Sequence, residues 1–210
     1  MAEIQARIGA ARLLPVVVLD DPMQAVPLAL ALIAGGLPVA EVTFRTDAAA
    51  ESIRRIAAEV PGILLGAGTV LTAAQVRQAH QAGASFLVTP GFNPAVVAAA
   101  QELGLPIVPG INNPSGVEQA MAHGLDLVKF FPAEPSGGVP FLKALGGPYG
   151  GMRFIPTGGI GPKNLGSYLA LPAVLACGGS WMVEPATIRS GRFDMISALT
   201  AEAVALTRPA

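Results

Sequence analysis

Eight short apolar runs recur along the chain at intervals close to the length of one strand and one helix. Their first residues are Pro15, Val39, Leu64, Phe86, Pro106, Leu127, Phe154 and Val174, so successive starts lie 24, 25, 22, 20, 21, 27 and 20 residues apart. The runs are apolar throughout rather than alternating, which is typical of parallel strands that are covered on both faces. Alanine-rich segments with a helical period separate them.

The segments between the runs carry signals for the start and end of helices. Thr72 is a predicted N-cap with Gln75 three residues later, and Gly83 is positioned to end that helix. Asn93 is a second predicted N-cap, with Pro94 at the first helical position. Strands therefore alternate regularly with helices.

This alternation predicts an α/β fold, a (β/α)8 TIM barrel. We expect one domain over residues 1–210, with a short N-terminal extension at 1–13 and a C-terminal helix at about 185–206. A doubly wound sheet is the competing fold, and it would need a glycine-rich turn after its first strand. The residues that follow the first run, DDPMQ from Asp20, contain no glycine.

Charge and composition narrow the classes of partner. The net charge is −1, from 13 Lys and Arg against 14 Asp and Glu, without a block of like charges, so we expect neither a nucleic acid nor a membrane partner. A small solute is the expected ligand. Charged residues make up only 13% of the chain, which indicates extensive buried surface that could include subunit interfaces.

The cysteine and histidine content and the length of the apolar segments indicate whether the chain has a metal site and where in the cell it is located. Cys177 is the single cysteine and there are two histidines, so the sequence predicts neither a disulfide within the chain nor a metal site. The N-terminus lacks the apolar core of a signal peptide. The most apolar segment, residues 25–40, is interrupted by proline and glycine and is too short to cross a bilayer. A cytoplasmic protein is expected.

A lysine in the middle of an apolar strand is the most unusual feature of the sequence. Lys129 lies in LVKFF, where alternation groups it with Leu127 and Phe131 on one face. An isolated buried ammonium is costly, and it normally pairs with a carboxylate or gives up its proton. Either the segment is less buried than its composition indicates, or the amine is held neutral.

The second apolar run supplies candidate partners for this lysine. In EVTFR, alternation places Glu41, Thr43 and Arg45 on one face. Active sites of barrels lie at the carboxyl ends of the strands, so a carboxylate, a guanidinium and an amine are predicted to converge there. A fully extended strand would separate Glu41 from Arg45 by about 13 Å, so Arg45 belongs to the site only if it lies on a turn. The alternative is that Glu41 and Lys129 form a structural ion pair.

The last two strands end in glycine pairs. TGGI spans residues 157–160, and GGS spans residues 178–180. Glycine lets the backbone approach an anion closely, and the loops after strands seven and eight of a barrel frequently hold a phosphate. The hydroxyl of Ser180 adds a hydrogen-bond donor. These loops predict a phosphate site.

Several motifs together resemble those of the 2-keto-3-deoxy-6-phosphogluconate (KDPG) and 4-hydroxy-2-oxoglutarate aldolase family. They are GAGTV, VTPGFNP, VKFFPAE, GGVPFLKALGGPY, FIPTGGI and GGSWMV. The resemblance extends from about residue 14 to residue 183. It implies a class I aldolase on a (β/α)8 barrel, a homotrimer without metal or cofactor, which cleaves KDPG reversibly to pyruvate and glyceraldehyde 3-phosphate. Cleavage of 4-hydroxy-2-oxoglutarate to pyruvate and glyoxylate is a further implied activity.

The resemblance also implies residue roles. Lys129 matches the Schiff-base lysine and Glu41 the general acid and base. Substrate contacts are implied for Arg45 and Thr69 with the pyruvate carboxylate, for Pro90 and Phe131 along the pocket, and for Gly158, Gly159 and Ser180 with the phosphate. The segment PGINNPSG departs from the family's threonine-containing turn, so Asn112 and Asn113 leave the specificity for the distal part of the substrate open.

Three other functions stay open at the level of the sequence. A closely related aldolase would act on the galactonate epimer of the same substrate. A phosphate-binding barrel isomerase or epimerase would share the fold and the anion site but needs no imine. A non-catalytic sugar-phosphate-binding protein would give no reason for the position of Lys129.

Overall fold

The computed structural model describes residues 1–208, in which nine strands alternate with ten α-helices. The strands are β1 Leu13–Val17, β2 Val39–Thr43, β3 Leu64–Gly68, β4 Phe86–Val88, β5 Ile107–Val108, β6 Gly110–Ile111, β7 Leu127–Phe130, β8 Arg153–Pro156 and β9 Cys177–Gly179. The helices are α1 Ala2–Ala11, α2 Ala25–Ala34, α3 Ala49–Glu59, α4 Ala73–Ala82, α5 Pro94–Glu102, α6 Pro114–Ala122, α7 Gly138–Gly146, α8 Leu165–Leu169, α9 Pro185–Arg189 and α10 Phe193–Ala205. A short 3-10 helix, Pro22–Gln24, precedes α2.

The strands are parallel and follow one another around a common interior. One sheet has the order β5-β4-β3-β2-β1-β9, and a second has the order β6-β7-β8. Two isolated parallel bridges, Phe154 with Val174 and Thr157 with Gly178, join the second sheet to the β9 side of the first. Because β5 and β6 are two parts of the predicted fifth strand, the eight predicted units form a (β/α)8 barrel.

The fifth strand is broken at Pro109, between β5 and β6. Proline has no backbone N–H and cannot donate to a neighbouring strand, so it interrupts the ladder. Its carbonyl oxygen still accepts a hydrogen bond, at 2.9 Å, from the backbone N–H of Lys129. The interrupted strand therefore still fixes the register of β7 beside it.

The N-terminal segment is more ordered than the sequence analysis predicts. Where an extension is expected at 1–13, the chain forms α1, and β1 begins at Leu13. Ile8 is fully buried, which gives the helix an anchor in the core. The amide of the buried Gln5 donates to Asp126 Oδ1 at 2.6 Å, and its oxygen accepts from the guanidinium of Arg153. Helix α1 thus packs at the amino ends of the strands.

The C-terminal segment also differs from the expectation. Instead of one helix over about 185–206, the chain forms the two helices α9 and α10. Gly191, between them, has φ 68°, a left-handed conformation that ends helices and favours glycine. Helix α10 packs against α2, where Ser197 and Thr200 approach Gly35 so closely that a side chain on it would collide with them.

The predicted helix caps are present. Thr72 Oγ1 accepts from the N–H of Gln75 at 3.2 Å, and Gly83 ends α4 with φ 94°. Asn93 Oδ1 accepts from the N–H of Ala95 at 3.0 Å. These caps satisfy backbone groups that have no partner inside the helix.

Cys177 is a core residue of β9. The side chain is buried, and burial raises the pKa of the thiol to about 12. A thiol with this pKa stays protonated near neutral pH and is a poor nucleophile. No helix within residues 1–208 is long and apolar enough to cross a membrane.

Candidate active site

A lysine and a glutamate meet inside the barrel. Lys129 Nζ, on β7, lies 3.2 Å from Glu41 Oε1, on β2, although 88 residues separate the two in sequence. The side chains are only 5% and 1% exposed, respectively. The ammonium also lies 5.4 Å from the centroid of the Phe131 ring, within range of a cation–π interaction. The predicted convergence of amine and carboxylate is thus present.

The second oxygen of Glu41 has no partner within residues 1–208. Glu41 Oε2 is buried, and no donor in that part of the chain reaches it. Buried polar atoms are nearly always hydrogen-bonded, and the exceptions concentrate at functional sites. One oxygen of this carboxylate therefore contacts the amine, while the other is free to accept a proton.

Glycine 68 provides the space that Glu41 occupies. A Cβ atom on Gly68 would lie 2.2 Å from Glu41 Oε1 and 2.5 Å from its Cγ. Gly68 is the last residue of β3, and its carbonyl accepts from the N–H of Phe44 at 2.7 Å, so its backbone is held in place. Glu41 can reach Lys129 only because this position has no side chain.

Arg45 lies on the turn after β2, as its membership of the site requires. Its side chain lines a cavity of about 190 Å³ together with Phe131, Gly158, Gly159 and Ser180. The structure therefore brings five of the predicted substrate-binding residues to one depression. Gly158 and Gly159 have φ of 104° and 79°, conformations that residues with a Cβ rarely adopt.

A second cavity lies on the other side of Phe131. It measures about 510 Å³, and its lining includes Pro90, Phe131, Asn112 and Asn113. Asn113 Oδ1 accepts from the N–H of Gly116 at 2.9 Å and caps α6, and its amide donates to Asn112 Oδ1 at 3.1 Å. Asn113, which departs from the family pattern, thus has a structural role as the N-cap of α6.

Thr69 follows β3 and is half-buried, but it lines neither cavity. Its φ of 55° makes it one of two residues other than glycine with positive φ within residues 1–208. Such conformations are costly for threonine and cluster at functional sites. Its predicted contact with a carboxylate stays a prediction.

Thr157 is a site residue that the sequence analysis left without a role. It is buried at the carboxyl end of β8 and lines the 190 Å³ cavity. A Cβ on Gly178 would lie 2.2 Å from Thr157 Oγ1, so that glycine gives the hydroxyl its room. The signal was available, since Thr157 is the polar residue that ends an apolar strand beside two glycines.

Comparison with known proteins identifies the family of this chain. A family model described as "Aldolase: KDPG and KHG aldolase" matches residues 4–199. The chain belongs to this aldolase family. It is 49% identical over 202 residues to the 2-dehydro-3-deoxy-phosphogluconate aldolase of Haemophilus influenzae, covering 96% of this chain and 95% of the relative. The family predicted from the sequence is thereby confirmed.

Solved structures of KDPG aldolases share the fold. The enzyme of Zymomonas mobilis ZM4 with 3-phosphoglycerate matches with a TM-score of 0.91 and 42% identity, over 99% of this chain and 98% of that chain. The enzyme of Legionella pneumophila, with pyruvate captured as a covalent carbinolamine, matches with a TM-score of 0.92 and 38% identity, over 95% and 97%. The predicted barrel is confirmed.

We expect Gly68→Ala to destabilise the aldolase by about 1–3 kcal/mol, because the new methyl group displaces the buried Glu41 carboxylate. Chemical denaturation measures the free energy of unfolding. Gly62→Ala is the matched control, since a Cβ at Gly62 meets no atom within 4 Å. Equal stability of the two variants would contradict the close contact between Gly68 and Glu41.

Proposed function

We propose that this protein is a class I aldolase that cleaves KDPG reversibly to pyruvate and glyceraldehyde 3-phosphate. The observation that carries the proposal is the buried contact between Lys129 and Glu41, with the second carboxylate oxygen unpartnered. An amine can attack a ketone only as the free base, and the Glu41 carboxylate lies 3.2 Å away, where it can take the proton from Lys129. An isomerase would need an acid and a base but no buried amine.

Covalent chemistry begins at Lys129. Its neutral amine attacks C2 of the substrate to form a carbinolamine, which loses water to give a protonated imine. The imine nitrogen then accepts the electron pair of the C3–C4 bond as that bond breaks. Cleavage leaves an enamine of pyruvate on Lys129 and releases the aldehyde.

Proton transfer is assigned to Glu41. The unpartnered Oε2 removes the proton of the C4 hydroxyl as the C3–C4 bond breaks. The enamine is then protonated at C3, and water hydrolyses the resulting imine to release pyruvate and restore the amine. The 3.2 Å contact lets the same carboxylate exchange protons with Lys129 at the start and end of the cycle.

The lining of the smaller cavity supports the assignment of the phosphate end of the substrate. Gly158, Gly159 and Ser180 line the depression to which we assign the phosphate, and Phe131 separates it from the wall that contains Pro90. Arg45 and Thr69 are assigned to the pyruvate carboxylate. Arg45 lines the same depression as the phosphate residues, so its guanidinium also contributes positive charge there.

Borohydride reduction in the presence of pyruvate tests the covalent step. We expect one reduced pyruvate adduct on Lys129, found by mass spectrometry of the peptide that contains LVKFFPAE. Lys129→Arg keeps the charge and should give no adduct and no turnover, because a guanidinium does not form the imine. An adduct on another lysine, or the absence of any adduct, would contradict the proposed mechanism.

The matched control for this experiment is Glu41→Gln. We expect this variant still to form some adduct with pyruvate, while its turnover falls by about 100- to 10,000-fold, the usual contribution of a general acid or base. Lys143→Arg, at an exposed position on α7, should change neither the adduct nor the turnover.

The phosphate assignment has its own test. We expect Ser180→Ala to lower kcat/KM for the phosphorylated substrate by about tenfold, the value of one hydrogen bond to a charged group, and to spare the unphosphorylated analogue. Steady-state kinetics with both substrates measures the preference. If the ratio of the two kcat/KM values matches that of the wild type, Ser180 does not contact the phosphate.

We also propose a homotrimer. The resemblance implies one, and large apolar side chains, including Met23, Leu30 and Met121, are more than half exposed in the single chain. We expect a mass of about three times 21.3 kDa by light scattering coupled to size-exclusion chromatography. A mass that stays at one chain across concentrations would contradict the trimer.

A further inference from the structure

The loop at residues 157–160, here called the glycine loop, has its carbonyl groups held on one side. The carbonyl of Thr157 accepts from the N–H of Ala133 at 2.8 Å, and that of Gly158 accepts from the N–H of Glu134 at 3.1 Å. The next carbonyl, of Gly159, accepts from Asn164 Nδ2 at 3.0 Å. Three successive peptide carbonyls are therefore anchored to the protein.

Anchored carbonyls fix the direction of the opposite N–H groups. In a trans peptide the C=O and the following N–H point in opposite directions, so the N–H groups of Gly158, Gly159 and Ile160 point away from these anchors. The N–H groups of Gly159 and Ile160 donate to no acceptor within residues 1–208, whereas that of Gly158 faces the carbonyl of Gly178 across the bridge between Thr157 and Gly178. All three residues line the 190 Å³ cavity. Successive free N–H groups with left-handed glycines form a concave site for an anion.

Asn164 is the one side chain among the three anchors, and both ends of its amide are used. Nδ2 holds the carbonyl of Gly159, while Oδ1 accepts from the N–H of Gly161 at 2.9 Å. One planar group thus fixes the peptides on both sides of Ile160. Without it, the peptide between Gly159 and Ile160 could rotate and turn a carbonyl oxygen toward an anion.

A carboxylate beside the glycine loop is held by a buried tyrosine. Carbon atoms of the Glu134 side chain approach Gly159 so closely that a Cβ there would lie 2.7 Å from one of them. The hydroxyl of Tyr168, which is fully buried, donates to Glu134 Oε1. Burial and this hydrogen bond raise the pKa of Tyr168, so the hydroxyl keeps its proton and continues to donate. The negative charge of Glu134 is thereby tied to Tyr168.

We propose that Asn164 is a positioning residue for the phosphate group, and that it acts by presenting the N–H of Ile160 as a second backbone donor beside that of Gly159. The inference rests on the proposed aldolase function for the identity of the substrate. The anion site itself is inferred from the hydrogen bonds of the glycine loop and does not depend on the proposed reaction. Asn164 does not touch the reacting atoms, so its effect is confined to substrates that have the phosphate.

Asn164→Ala tests the proposal through the difference between two substrates. We expect KM for the phosphorylated keto acid to rise about tenfold, because one charge-assisted hydrogen bond contributes about this factor to binding, and kcat to stay nearly unchanged. Turnover of the unphosphorylated keto acid should stay within about twofold of the wild type, and it also reports the folded fraction. Asn164→Ser, which keeps an acceptor for the N–H of Gly161, replaces this variant if it does not fold.

Asn93→Ala is the matched control. Asn93 begins α5 with an amide used in the same way, since Oδ1 accepts from the N–H of Ala95 and Nδ2 donates to the carbonyl of Leu71. It lines neither of the two cavities. Each variant thus loses a side-chain amide that joins two backbone groups, and we expect only Asn164→Ala to change the preference for the phosphorylated substrate.

Calorimetric titration with inorganic phosphate separates this inference from the proposed function, because it does not depend on turnover. We expect the wild type and Asn93→Ala to bind phosphate alike, and Asn164→Ala to bind it about tenfold more weakly. Equal phosphate binding by all three proteins would overturn the role of Asn164. So would an equal rise in KM of Asn164→Ala for the phosphorylated and the unphosphorylated keto acid. A wild type that binds phosphate but forms no imine on Lys129 would overturn the aldolase proposal alone.

Discussion

The contact between Lys129 and Glu41 is the interaction on which the rest of the site depends. Burying two charged groups removes their hydration, at a cost of several kcal/mol for each ion, and only good mutual geometry offsets that cost. The two residues lie on β2 and β7, on opposite sides of the barrel, so only a closed and curved sheet brings them to 3.2 Å. The closed barrel is thus required to form this pair, and the buried pair makes the interior less stable than an apolar interior would be.

Space for this pair comes from residues that have no side chain. Gly68 leaves room for the Glu41 carboxylate, Gly66 for the ring of Phe86, and Gly178 for the hydroxyl of Thr157. Gly66 and Gly68 are two apart on β3, so both face the same side of the strand. The interior therefore pairs glycines with larger side chains, which allows two polar groups to be enclosed in a closely packed core.

Much of this arrangement follows from local sequence patterns. The spacing of apolar runs predicted the eight units, and alternation along β2 and β7 placed Glu41 and Lys129 on interior faces. Pro109 and Gly191 are local signals for the break in the fifth strand and for the division of the C-terminal segment, and the sequence analysis did not use them. Helix α1 was missed because its contacts, with Asp126 and Arg153, are with residues distant in the sequence. Asn164 was missed because its role depends on the direction of the Gly159 carbonyl, which no sequence pattern specifies. The cytoplasmic location and the absence of metal and cofactor stay predictions.

Helix α1 has a consequence for how water reaches the reacting amine. Gln5 and Ile8 fasten this helix beneath the amino ends of the strands, where Asp126 precedes β7 and Arg153 begins β8. Helix α1 therefore covers the amino ends of β7 and β8. In the proposed mechanism this cover leaves the carboxyl ends of the strands as the route by which substrate and water reach Lys129. Bound substrate then shields the imine from hydrolysis, and departure of the aldehyde admits the water that releases pyruvate.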